Sequence, residues 1–381
     1  MTFSTKPEPA VPVPAPPVPA PPVPEAPVPE APVPEEPLEP PVIHDECLSC
    51  SLPGCTWVDA SRTTLSPLLT YIAVTCLGPG PPNNVYIFET NSTSPLLVIK
   101  TKEDTEIKEQ KSVKEDICSI HVDGVEFYRK FTMPSNFDRK KIYPVIFEVY
   151  GGPSLNMVTT KYLDGMYSLY FAGHYEAIVV RFDPRGTPGR SDNFQHAVYK
   201  KLGQVEVEDS LSIIKRTLEE HPFLDESRVG IFGGSYGGYL TLRLLEEADP
   251  DMFAAALTSA AVADWRFYDT AYTERYMGLV DDLVYARASA VPKLGQIPSG
   301  VLMILHGLSD YNVVVENHWL VIKKLIEEHV QYREYVRPGE DHNVNKLQLL
   351  ISWFDKHDIL SGPERTPDCG EEGKDDDSDR K

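Results

Sequence analysis

The chain has 381 residues and is 41% hydrophobic, with 57 acidic against 36 basic side chains and a formal net charge of −21. This length and apolar content suit one large domain plus a smaller piece. The acidic balance excludes recognition of a phosphate backbone, which needs clustered Lys and Arg, so no nucleic-acid partner is expected.

Residues 1–42 hold 17 of the 35 prolines and repeat in fives from Val13, Val18, Val23, Val28 and Val33. Proline fixes φ and removes a backbone donor, so this arm is predicted to be extended polyproline II with no core: a spacer, or a ligand for an SH3- or WW-type domain. The opening MTFSTKPEPA lacks the apolar stretch of a signal peptide. No run of about 18 apolar residues occurs anywhere, so no transmembrane segment is read.

Residues 43–141 read as β-rich, with strands at Tyr71–Cys76, Val85–Glu89, Leu96–Lys100, Cys118–Val122 and Val125–Thr132. One antiparallel sheet is expected there, too small to bury a full core alone. Cys47-x-x-Cys50 has the spacing of half a zinc site, but no His or Cys pair follows at ligand spacing. No metal is therefore expected, and Cys47, Cys50, Cys55 and Cys76 are read as disulfide-forming, which implies an oxidising compartment. Asn91-Ser92-Thr93 is a glycosylation sequon.

Residues 142–360 alternate buried strands with helices. The strands are Val145–Tyr150, Ala177–Phe182, Val229–Phe232, Ala254–Ser259, Val301–Leu305 and Tyr332–Val336. The helices are Val207–Glu220, Gly237–Glu247, Glu316–Glu328 and Lys346–His357. Near-continuous apolar strands alternating with helices predict a mostly parallel central sheet covered on both faces, in the α/β class. Residues 361–381, with eight acids, read as a disordered tail.

The strand ending at Phe232 runs into Gly233-Gly234-Ser235-Tyr236-Gly237 and then a helix. This is G-x-S-x-G in the strand–turn–helix setting of a nucleophile elbow, in which the glycines permit a bend that lifts the Ser hydroxyl clear of the sheet. A hydroxyl nucleophile needs a base, and the base an orienting carboxylate, in the order Ser, acid, His. Asp310 follows the strand Val301–Leu305, and His342 follows the strand Tyr332–Val336. The other histidines beyond Asp310, at 318, 329 and 357, fall in predicted helices or directly at the end of one, which leaves His342.

At these residues the chain resembles the dipeptidyl peptidase IV-like branch of the prolyl oligopeptidase family, over about residues 47–358. The matching blocks are Val149-Tyr150-Gly151-Gly152-Pro153, Phe182-Asp183-Pro184-Arg185-Gly186, Glu206-Val207-Glu208-Asp209, Ser235-Tyr236-Gly237-Gly238-Tyr239, Tyr272-Thr273-Glu274-Arg275-Tyr276-Met277-Gly278, and His306-Gly307 with Asp310 and Asn312-Val313. The resemblance implies an α/β-hydrolase fold with Ser235 as nucleophile, His342 as base and acid, and Asp310 as orienter. It implies an oxyanion hole from the Tyr236 N–H and the Tyr150 hydroxyl. It implies a slot for Pro or Ala lined by Tyr236, Val262, Trp265, Tyr268, Tyr272 and Val313, with Asn312 on the preceding carbonyl. No cofactor is implied. The disulfides it implies are Cys47–Cys50 and Cys55–Cys76, with Cys118 and Cys369 free. Peptides with Pro or Ala second from the N-terminus are the implied substrates, a homodimer the implied assembly, and the plasma membrane or the extracellular space the implied location.

The departures are specific. Asn343 stands where the family has Gly after the catalytic His. The family carries a β-propeller before the hydrolase, and here only residues 47–129 resemble its end; the propeller's glutamates and arginine that hold a substrate amine are not in this chain. A weak dipeptidyl aminopeptidase with a working triad is therefore expected, with two alternatives: a non-enzymatic binding protein, or a hydrolase of small esters.

Overall fold

A computed structural model describes residue 47, residue 52 and residues 55–78, 84–100, 113–161, 165–279 and 281–360. The proline arm, the acidic tail, Cys50 and Cys369 lie outside the described residues. All described residues belong to one compact unit.

The first element is a small antiparallel sheet of β1 (Thr64–Leu65), β2 (Tyr71–Cys76), β3 (Asn84–Glu89) and β4 (Leu97–Lys100), in that order. Val74, Cys76, Tyr86 and Phe88 are buried on one face with Leu52. Cys55 and Cys76 are disulfide-bonded with their Cα atoms 5.7 Å apart, as the family pattern implied. Cys47 is also disulfide-bonded, and its expected partner Cys50 is not among the described residues. Cys118 is free.

The second sheet has eight strands. β5 (Lys114–Val122) and β6 (Val125–Met133) form a hairpin; then come β7 (Tyr143–Val149), β8 (Ile178–Phe182), β9 (Leu224–Gly234), β10 (Ala255–Ser259), β11 (Leu302–Gly307) and β12 (Tyr332–Arg337). Their spatial order is β12-β11-β10-β9-β7-β8-β6-β5. The six strands from β12 to β8 are parallel, and the β5–β6 hairpin is added antiparallel through β6 on β8. The single sheet expected over 55–141 is thus two. Residues 114–133 leave the small sheet because β6 is an apolar strand buried over most of its length: Phe127 and Phe131 enter the main core, and Arg129 pairs with Phe182 of β8.

Side-chain alternation along the parallel strands makes two cores, one on each face. Val145, Phe147, Val149, Val180 and Ile231 join residues of α3 (Val205–Glu220), α4 (Tyr236–Glu247) and α7 (Glu316–Glu327). Ile146, Val179, Phe232 and Leu257 join α1 (Met166–Tyr175) and α8 (Leu347–Lys356). The short helices α2 (Asp192–Gln195), α5 (Thr270–Met277) and α6 (Asp282–Ala288) lie in connections. No helix among the described residues is long and apolar enough to cross a membrane.

Candidate active site

The parallel strands end at one edge of the sheet, where ligands bind in open α/β sheets. Three of the sequence-read residues are there: Ser235 follows β9, Asp310 follows β11, and His342 follows β12.

Ser235 has φ 58 and ψ −121, a backbone conformation that costs a non-glycine residue about 1–3 kcal/mol. Its surroundings enforce it. Ser235 N donates to Ser259 O of β10 at 2.8 Å. A Cβ on Gly233 would lie 2.2 Å from Gly237 O, and one on Gly237 would lie 2.2 Å from Val149 O. Both glycines are needed because helix α4 starts against the end of β7. The helix N-terminus directs unsatisfied N–H groups to the same place, which favours developing negative charge.

Asp310 is buried, and all its bonds are directed. Oδ1 accepts from the backbone N–H of Asn312 and of Val313, each at 2.9 Å. Oδ2 accepts from His342 Nδ1 at 2.8 Å. The imidazole therefore carries its proton on Nδ1 and leaves Nε2 as a free base. No hydrogen bond joins Ser235 to His342 among the described residues; apo sites commonly tighten only with substrate. Behind the pair, His306 Nε2 donates to Val313 O at 2.9 Å and lies 3.6 Å from Asp310 Oδ2. Burial pushes the His306 imidazole below its ordinary range, which keeps it neutral there. Of the histidines set aside in the sequence, His318 lies within α7, whereas His329 and His357 sit just past the ends of α7 and α8.

The expected slot residues share one aromatic cluster. Trp265 and Tyr272 stack at 5.7 Å with planes 10° apart. Tyr268 meets both, at 5.8 and 5.2 Å, and Tyr236 packs on Trp265 at 5.3 Å and on Tyr150 at 6.0 Å. These rings come from more than one element: Trp265 is in a 3-10 turn, and Tyr272 is in α5. Tyr268 OH donates to Asn312 Oδ1 at 2.9 Å, tying the cluster to the Asp310 loop. Val262 and Val313 are buried in the same core. Burial raises the Tyr272 hydroxyl, with Tyr150 beside it adding to the shift, so this hydroxyl stays un-ionised. Tyr150 OH is within 3.3 Å of Ser154 Oγ. Asn91 is exposed in the turn after β3.

Three acids of the family-matching blocks, for which the sequence implied no role, are ordered around the site. Asp183, pushed up to about 6 by burial, accepts from Met157 N at 2.7 Å and Val158 N at 3.0 Å and so pins the loop after Tyr150. Asp209 takes the Arg185 guanidinium, at 2.6 Å from Nη2, and the Arg185 N–H. Glu206 lies fully buried beneath Tyr236. Among the described residues no group of three or more His, Cys, Asp or Glu side chains is arranged to hold a metal.

This sheet order and this elbow define an α/β hydrolase. The chain belongs to the prolyl oligopeptidase family, whose family model matches residues 165–358. It is similar to prolyl endopeptidase FAP of Homo sapiens, 31% identical over 309 residues, which covers 79% of this chain and 40% of that protein. It is also similar to dipeptidyl peptidase 4 of Sus scrofa, 32% identical over 311 residues, covering 78% and 39%. The crystal structure of Porphyromonas gingivalis dipeptidyl peptidase 4 superposes with a TM-score of 0.69 at 26% identity, over 79% of this chain and 43% of that one. The chain thus spans about two fifths of the length of the curated relatives it matches.

Proposed function

We propose that this chain is a serine-type peptidase of the dipeptidyl-peptidase kind, hydrolysing by acyl transfer after Pro or Ala. The observation that carries the reading is the Asp310–His342 hydrogen bond of 2.8 Å, in which the other oxygen of Asp310 is already held by two backbone donors. In the neutral imidazole that arrangement puts the proton on Nδ1 and makes Nε2 the acceptor, at the same sheet edge as a serine held in a strained elbow.

In this reading His342 Nε2 takes the Ser235 proton as Oγ attacks the scissile carbonyl, and Asp310 stabilises the resulting imidazolium. The Tyr236 N–H and the Tyr150 hydroxyl hold the oxyanion; each donor acts on charge present only in the transition state and contributes about 3 kcal/mol. Collapse expels the amine, which takes the proton from His342. Water then repeats the sequence on the acyl-enzyme. Tyr236, Val262, Trp265, Tyr268, Tyr272 and Val313 form the slot for the Pro or Ala side chain, and Asn312 holds the preceding carbonyl. The aromatic cluster supports that assignment, because flat, neutral rings, with Tyr236 and Trp265 buried and Tyr268 and Tyr272 half-buried, suit a pyrrolidine and offer nothing to a charged side chain. Peptides with Pro or Ala second from the N-terminus are the proposed substrates.

A panel of peptide amides and esters differing only at the cleaved position tests this reading. Turnover is expected for Pro and Ala, about tenfold or more above Lys and Arg. A preference for Lys or Arg overturns the slot.

A further inference from the structure

Glu206 is an acid on the inner face of a helix. It stands in the first turn of α3, on the face continued by Ser210, Ile213 and Thr217, and is 0% exposed. Its Oε1 accepts from Gly203 N at 2.5 Å and from the Tyr236 hydroxyl at 2.7 Å. Its Oε2 is buried and has no hydrogen-bond partner among the described residues. A half-satisfied buried carboxyl is costly beside an apolar side chain of similar size. What the arrangement yields is the fixed position of its two donors. Gly203 is itself locked: it has φ 75, and an added Cβ would lie 2.0 Å from Tyr239 Oη. The second donor belongs to the residue after Ser235, and its ring touches Trp265, Tyr239 and Tyr150 at centroid distances of 5.3, 5.5 and 6.0 Å.

We propose that Glu206 is a positioning residue that sets acyl-side specificity: by anchoring the Tyr236 hydroxyl from beneath, it fixes the ring that forms the floor of the Pro/Ala slot. This rests on the slot assignment made above. The start of α4 is already held by the Ser235 N to Ser259 O bond and by close glycine packing. The tether therefore governs the ring more than it governs the nucleophile. Without it the ring can turn on its χ angles, and the slot loses its fit to a pyrrolidine.

The test measures kcat and KM for a proline-acyl ester and an acetyl ester of the same leaving group in the full chain, together with fluorophosphonate labelling and thermal melting. Glu206→Ala is expected to lower the proline-over-acetyl preference in kcat/KM about tenfold, mainly through the KM of the proline ester. Glu206→Gln keeps an acceptor for both donors and is expected to retain the preference within about threefold. Tyr236→Phe should reproduce the loss, and Glu206→Ala added to it should change the preference no further, since the two act through one bond. If Glu206→Ala does not fold, Tyr236→Phe decides. Unchanged preference in Tyr236→Phe, or additive losses in the double variant, overturns the proposal. A wild-type chain that does not label at Ser235, or shows no proline preference, instead overturns the site reading on which it rests.

Discussion

Asp310 has its oxygens assigned by the backbone, and this decides what a substitution does. In Asp310→Asn the amide oxygen must stay on the Asn312 and Val313 N–H groups, which puts the NH2 against His342 Nδ1. The imidazole must then accept at Nδ1 and carry its proton on Nε2, so no base faces the serine. Hydrolysis by Asp310→Asn is expected to fall about 10⁴-fold with little change in melting temperature; a loss under tenfold would mean the pair has no catalytic part. The order Ser235, Asp310, His342 was readable because each follows a strand, and strand ends are visible as apolar runs. Glu206 was not, because an acid on a helix reads by default as solvated. Beyond the Glu206-Val207-Glu208-Asp209 block that resembles the family, its signal was its place on the α3 face that carries Ser210, Ile213 and Thr217 inward.

At the scale of elements, the elbow depends on backbone contact between α4 and the end of β7. Gly237→Ala would place a Cβ 2.2 Å from Val149 O and 3.0 Å from Tyr150 Cα, and neither is a flexible group. It is expected to cost 1–3 kcal/mol or more, read as a lowered denaturation midpoint. An unchanged midpoint would show that the elbow has room for a side chain between α4 and β7. The Cys55–Cys76 bridge closes a loop with a sequence separation of 21. Replacing both residues by Ser is expected to destabilise the small sheet by about 3 kcal/mol, seen as faster amide exchange in β2 and β3; equal exchange rates would contradict this. The β5–β6 hairpin was legible as strands, but its sheet was not, since pairing with β8 is a contact between distant segments. Helix α1 escaped notice because MYSLYFAGHY is apolar and aromatic with no clear polar face.

The whole molecule carries several buried or half-buried histidines: burial lowers the pKa of His221, His306, His318 and His357. A base whose folded pKa lies below its unfolded value of about 6.5 takes its proton more readily when unfolded, so its contribution is present above that pH and is lost as pH falls below it. Asp183 and Glu246 act oppositely. Burial raises them to about 6 and about 8, so their contribution is lost as pH rises through those values. His318 is the cleanest probe, since its side chain is fully buried on Glu334 and outside the proposed triad. His318→Gln is expected to flatten the fall in denaturation midpoint between pH 7 and 5, and a slope equal to wild type would contradict the linkage. The α/β class and the parallel sheet were legible from alternating elements, while the convergence of three loops at one edge came only with the strand order.

Everything proposed for this site depends on Ser235 being a nucleophile activated by His342. Mass spectrometry of the chain after reaction with a fluorophosphonate reads this out. A single adduct is expected, carried by the peptide that contains Ser235 and absent from both Ser235→Ala and His342→Ala. An adduct that persists in Ser235→Ala, or a folded wild-type chain that forms none, would contradict it.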